Sequence, residues 1–197
     1  NIPVTEHAKI RSVEACLASS ELAVALAKKY DSQLHVLHIS TARELELFEP
    51  GPMAGKSITA EACVHFLHFD ASQYAQYGNQ IKCNPAIKDL SDQQALIGAI
   101  ADGRLDIIAT DPAPHTIEEK AEDSYLTAPA GLPLVQEVLV AALELVHEEK
   151  LDLHTVVRGI THNPADRFSV RERGYIREGY HADLVLVDMN GSTEVSR

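Results

Sequence analysis

Residues 11–30 place Val13, Leu17, Val24 and Ala27 near one face of a helix and Glu14, Glu21 and Lys28 around the other, with no internal glycine or proline. The spacing predicts an amphipathic helix. After a polar turn, Leu34-His35-Val36-Leu37-His38-Ile39 is short, apolar and partly β-branched, and reads as a buried strand. Ser40-Thr41, with Glu44 three residues after Thr41, offers an N-cap for a helix running to about Phe48. The alternation recurs with a strand over 57–62, a helical or irregular stretch through Tyr77, a strand over 80–84 and a helix near 92–101. A fourth strand spans 106–110, and long helices follow near 133–147 and from about Leu153 past Asn163-Pro164. Strands alternating with helices imply right-handed parallel β-α units, either an open doubly wound sheet or an arc of a barrel. Beyond residue 173 the pattern becomes β-rich, with strands expected over 174–176 and 182–187 on either side of Gly179, so residues 174–197 are expected to enter a separate β element.

The most informative stretch is DIIATDPAPHT, residues 106–116. The apolar run Ile107-Ile108-Ala109 fits a strand covered on both faces, and two prolines forbid its continuation. Asp111 therefore sits at the strand's C-terminal edge, where barrel and open-sheet α/β proteins collect their ligand-binding groups, and should be partly desolvated. A cap in the Asp-Pro-Ala-Pro turn is the competing role for it. Four polar residues recur at such ends: His38, His65, Asn84 and Asp111. Imidazole nitrogens and a carboxylate oxygen are ligands that zinc accepts, and strand ends converge above a barrel. Each histidine taken singly also fits a buried ring with a hydrogen-bonded tip. His35, three before His38, points to the opposite face if the strand is continuous. Glu118, Glu119, Glu122 and Asp123 read as a solvated helix face.

Composition narrows the partners. The chain has 197 residues, 45% of them hydrophobic, enough for one sizeable core. A formal charge of −12 and a pI near 5.2 argue against a general nucleic-acid or anionic-membrane surface and favour a small-molecule partner. Cys16, Cys63 and Cys83 are odd in number and form no C-x-x-C pair, which suits the cytosol and indicates neither a disulfide framework nor a structural zinc knot. No stretch approaches a membrane span. The chain opens at Asn1-Ile2-Pro3 without methionine and reads as the interior of a longer protein. Gly51-Pro52-Met53-Ala54-Gly55-Lys56-Ser57 misses the phosphate-loop spacing by one residue and precedes a strand-like SITAEA, so it is expected to be a surface loop.

LHVLHIST around His38, ITAEACVHFL around His65, IKCNPAIK, IATDPAPHT and the closing GYIREGYHADLVLVD, in this order and spacing, resemble the dihydroorotase family of the amidohydrolase superfamily over nearly the whole chain. The resemblance implies a partial (β/α)8 barrel: residues 1–173 as its C-terminal half and 174–197 as the start of a small β-sandwich. It implies that His38 and His65 bind the more buried zinc of a binuclear centre, and that Asp111 binds the other zinc and acts as general acid/base. It makes Asn84 and His115 substrate contacts, with Ala130-Gly131 a backbone contact to the ring of dihydroorotate, which opens to carbamoyl aspartate. It leaves room for a homo-oligomer. Pro112 stands where the family usually has histidine. The family's H-x-H pair, nearby arginine and bridging ligand have no counterpart in the chain, which is expected to be inactive alone. Hydantoinase, dihydropyrimidinase, allantoinase and a non-catalytic scaffold are the alternatives.

Overall fold

The computed structural model describes residues 2–192. The predicted amphipathic helix forms as Val13–Lys29, and Ser12 caps it by accepting from the Ala15 amide at 3.3 Å. Its apolar stripe buries Val24 and Ala27, while Glu14, Glu21 and Lys28 face outward. Three strands follow: β1, Leu34–Val36; β2, Ile58–Cys63; and β3, Ile107–Ala109. They form one parallel sheet in the order β1-β2-β3, with Leu34 opposite Ile58 and Glu61 opposite Ile107. Parallel neighbours need crossovers, which are the Arg43–Leu47 3-10 turn between β1 and β2 and the Val64–His68 and Leu90–Asp102 helices between β2 and β3. The C-terminal helices are Val138–His147, Leu153–Val157 and Asn163–Arg167, the last two joined by a π-helical turn over Arg158–His162. This is an α/β arc of a barrel, and its core joins Ile39, Leu67, Leu96, Ile108, Leu145 and Val156.

Polar fasteners set the register. Asp106 is buried; its carboxylate accepts from the Ala60 amide of β2 at 3.0 Å and from Lys56 Nζ at 3.0 Å, and Lys56 also donates to the Gly103 carbonyl. Lys56 thus ties the Gly51–Ser57 region to the N-terminal ends of β2 and β3 as a surface-loop anchor. Glu44, also buried, accepts from Ser20 Oγ at 2.6 Å and Thr41 Oγ1 at 2.9 Å, while its own amide donates to Thr41 Oγ1 at 3.2 Å. The N-cap expected at Ser40-Thr41 falls instead on Ala42, which makes no side-chain capping bond, and the element is a 3-10 turn in place of an α-helix.

Two expectations are corrected. Residues 80–84 form no strand: Gly78–Ile81 is a 3-10 turn, and β2 pairs directly with β3. The carbonyl of Lys82 accepts from the Gly131 amide and Lys120 Nζ, and that of Cys83 from His7 Nε2, so side chains and a distant loop replace a ladder. Residues 174–176 and 182–187 are not strands either. Leu184 and Leu186 are 65% and 100% exposed, because no sheet edge lies beside them among the described residues. No helix there is long and apolar enough to cross a membrane.

Candidate active site

His38, His65 and Asp111 each lie two residues beyond the last residue of their strand, after Val36, Cys63 and Ala109 respectively, and the register sets the ends of β2 and β3 level with each other. The chain leaves two of these strands by a left-handed residue, with φ of +43° at His38 and +46° at Asp111. L-residues adopt that conformation at a cost of roughly 1–3 kcal/mol, which the flanking structure must offset. At Asp111 the compensation is visible. Pro112 makes a parallel bridge with Leu132, and the Ala113 amide donates to the Leu132 carbonyl at 3.1 Å. The prolines end the strand without detaching the chain from its neighbour.

The three environments differ. His65 is 3% exposed, and burial, with His38 adding to it, pushes its imidazole down to about 3. It is neutral at pH 7, the form that binds a metal. Its Nδ1 is buried and has no hydrogen-bond partner among the described residues, an orphaned acceptor or donor of the kind a ligand would satisfy. His38 is half-buried and borders a groove of about 480 Å³ that Asn84 also lines. Asp111 is exposed, which corrects the expectation of a desolvated carboxylate: the left-handed turn carries it off the end of the buried strand. Its charge still reaches the buried Cys63 and Cys83 thiols, both of which are pushed up chiefly by burial and further by Asp111. The helix cap in this turn is Thr116, whose Oγ1 accepts from the Glu119 amide at 3.2 Å, so the capping role imagined for Asp111 is already filled.

The ring-side residues are gathered by backbone. The Gly131 amide donates to the Lys82 carbonyl at 2.9 Å, which sets Ala130-Gly131 beside Cys83-Asn84. Gly131 has φ of +147°, and a Cβ there would come within 2.4 Å of Ala113 Cβ, so only glycine lets this turn lie on the Asp111 loop. His115 meets Glu119 at 3.3 Å, Nδ1 to Oε2, and that carboxylate also accepts from the Thr116 amide at 3.0 Å. Glu119 is thus a capping and orienting group, a correction to its reading as part of a plain solvated face. His35 contacts Thr59 Oγ1 at 2.8 Å and Glu61 Oε2 at 3.0 Å, and His68 Nε2 donates to the Ala141 carbonyl at 2.8 Å. Both are satisfied in the protein interior, apart from the strand ends.

Three buried groups carry no sequence signal that marks them. His7 lies near the start of the chain and is 1% exposed; Lys82 and Lys120 sit in an apolar run and at the end of an acidic one. His7 Nε2 contacts the Cys83 carbonyl at 2.7 Å and Nδ1 contacts Tyr125 Oη at 2.7 Å. A carbonyl only accepts, so Nε2 carries the proton; burial keeps the ring neutral, and Nδ1 must accept from the Tyr125 hydroxyl.

In kind, His38, His65 and Asp111 fit zinc, and the unpartnered Nδ1 of His65 fits it in place. Among the described residues, however, no group of three or more His, Cys, Asp or Glu side chains is arranged to hold a metal ion. His38 lies within electrostatic reach of His65, while Asp111 follows β3, on the other side of β2 from β1.

Comparison with known proteins agrees with this architecture. The chain is 37% identical over 94% of its length to a dihydroorotase of Methanosphaera stadtmanae, of which it spans 42%. It is 29% identical over 94% of its length to an allantoinase of Bacillus velezensis, spanning 41% of that protein. A crystal structure of D-hydantoinase from Bacillus sp. AR9 superposes with a TM-score of 0.81 at 25% identity, covering 93% of this chain and 42% of the other. A model described as the amidohydrolase family matches residues 2–196, and with the parallel sheet and its strand-end histidines and aspartate this places the chain in the amidohydrolase family.

Proposed function

We propose that the chain supplies one side of the active site of a zinc-dependent dihydroorotase, which interconverts dihydroorotate and N-carbamoyl-L-aspartate in pyrimidine biosynthesis. The observation that carries the reading is the set His38, His65 and Asp111 just beyond the ends of three strands, with the buried His65 Nδ1 left unpartnered among the described residues. The dihydroorotase relative at 37% identity supports the choice of ring over the allantoinase relative at 29%. The low cysteine use and the acidic composition support a cytosolic setting and a small-molecule substrate. The exposed apolar residues 184–187 support a role for residues 174–197 in a small β-sandwich completed by other sequence.

In this reading His38 and His65 hold the zinc, with Asp111 a ligand to a second ion. Zinc, when bound, supplies Lewis acidity at the ring carbonyl and hydroxide near neutral pH. The chain's own residues do the rest. Asp111, exposed at the strand end, accepts the proton of the attacking oxygen and returns it to the departing amide nitrogen. Asn84 and the Ala130-Gly131 backbone hold the ring, and His115, oriented by Glu119, meets the substrate carboxylate. Because the chain spans 42% of its dihydroorotase relative, the remaining metal ligands are expected from sequence outside it.

The test is turnover of dihydroorotate, hydantoin and allantoin by the full-length, zinc-loaded protein. Hydrolysis of dihydroorotate is expected; turnover of only another ring would transfer the proposal to a hydantoinase or allantoinase, and turnover of none would favour a non-catalytic scaffold.

A further inference from the structure

Lys120 and Lys82 are 8% and 6% exposed. Their ammonium groups are enclosed by backbone carbonyls. Lys120 Nζ donates to Lys82 O at 2.8 Å, Pro129 O at 3.1 Å and Gly131 O at 3.0 Å, which uses all three of its N–H donors. Lys82 Nζ donates to Tyr125 O at 2.5 Å and Ala128 O at 2.6 Å and lies 4.3 Å from the centre of the Tyr125 ring. The Lys82 carbonyl takes the Gly131 amide as a second donor at 2.9 Å. Residues 120–131 are thereby sewn to residues 82–83 from both directions.

Burying an ammonium is unfavourable, and a methionine would fill the same space without that cost. Burial accordingly pulls Lys120 down to about 8, with Lys82 contributing. What the ammonium provides and an apolar side chain does not is geometry. It fixes three carbonyls of two separate segments around one point, as a structural cation would. One of those carbonyls belongs to Gly131, and the Lys82 carbonyl lies two residues before Asn84.

We propose that Lys120 is a positioning residue for substrate recognition: its ammonium clamps the Ala130-Gly131 turn onto the Lys82-Cys83-Asn84 segment and presets the ring-binding side of the site. The proposal rests on the reading of Asn84 and Gly131 as ring contacts. Lys120 itself touches no reacting atom, so its loss should weaken binding without slowing the chemical step at Asp111.

The experiment is Lys120→Met in the full-length, zinc-loaded protein, with two readouts. Amide hydrogen exchange across residues 126–132 needs no substrate and should accelerate about tenfold or more, because the loop loses its fixed anchor. KM should rise about tenfold with kcat held within about threefold, the mark of lost ground-state positioning. If the wild-type protein prefers hydantoin or allantoin, the KM for that ring is read, so a wrong substrate and a wrong clamp give different results. Lys120→Gln, which keeps two N–H donors, should fall between wild type and Lys120→Met in both readouts. Unchanged exchange and KM, or a fall in kcat with KM unchanged, would overturn the proposal. So would failure of both variants to fold, since Lys120 would then serve the fold as a whole.

Discussion

At the residue scale, strand ends assign different work to groups of similar chemistry. Asp111 is exposed on a left-handed turn and the cap beside it belongs to Thr116, so little of the fold depends on its carboxylate. Asp111→Ala in the full-length enzyme should lower kcat by roughly 10²–10⁴ while leaving stability within about 0.5 kcal/mol, as seen by urea unfolding alongside rate measurement. A loss of stability in place of rate would return Asp111 to a structural role. His65 behaves oppositely. Its folded-state pKa is about 3, against 6.5 for the free side chain, and His7 is shifted in the same direction by burial. Between these values the unfolded chain binds protons that the folded chain refuses. Stability should therefore fall as the pH drops below about 6.5, by up to roughly 1.4 kcal/mol per pH unit for each ring. Urea titrations of the metal-free protein at pH 7 and 5 should show this loss, and a shallower one after His7→Gln. The His7 ring was illegible in the sequence because its partners, Cys83 and Tyr125, lie far along the chain; His38, His65 and Asp111 were legible because an apolar run that stops in a polar residue is a local pattern.

At the element scale, continuous apolar runs identify strands only when a neighbouring edge is available. Residues 34–36, 58–63 and 107–109 have such edges, whereas the apolar run 184–187 has none among the described residues and remains exposed. Residues 80–84 fail for another reason: their carbonyls are claimed by Gly131, Lys120 and His7, partners that no periodicity reveals. The junction of that segment with the Asp111 loop depends on Gly131. In Gly131→Ala the new methyl would come within 2.4 Å of Ala113 Cβ and 2.5 Å of Ala113 O, one of them backbone, so the loops must part. A destabilisation of about 1–3 kcal/mol is expected. With the loops apart, KM should rise in the full-length enzyme; denaturation midpoints and steady-state kinetics measure the two effects together.

At the scale of the whole molecule, the sheet has three strands among the described residues, and within them β1 pairs only with β2. A barrel strand with a free edge offers unpaired amides and carbonyls, and beside it Leu37 is 52% exposed. The same incompleteness governs the metal. Among the described residues the two imidazoles and the carboxylate, each beyond a different strand, do not form a three-ligand group, and zinc bound by fewer than three or four well-placed donors is held weakly. Three proposed ligands on separate strands would also have to be ordered by the metal itself, which takes free energy from binding. The 197-residue chain alone should therefore bind zinc at about micromolar strength or weaker, through the histidines, with little turnover of dihydroorotate. Isothermal titration with zinc should give a weak site that His65→Ala removes and Asp111→Ala barely alters. Tight binding by the chain alone, or equal loss in the two variants, would mean that its strand ends close into a complete site without further sequence.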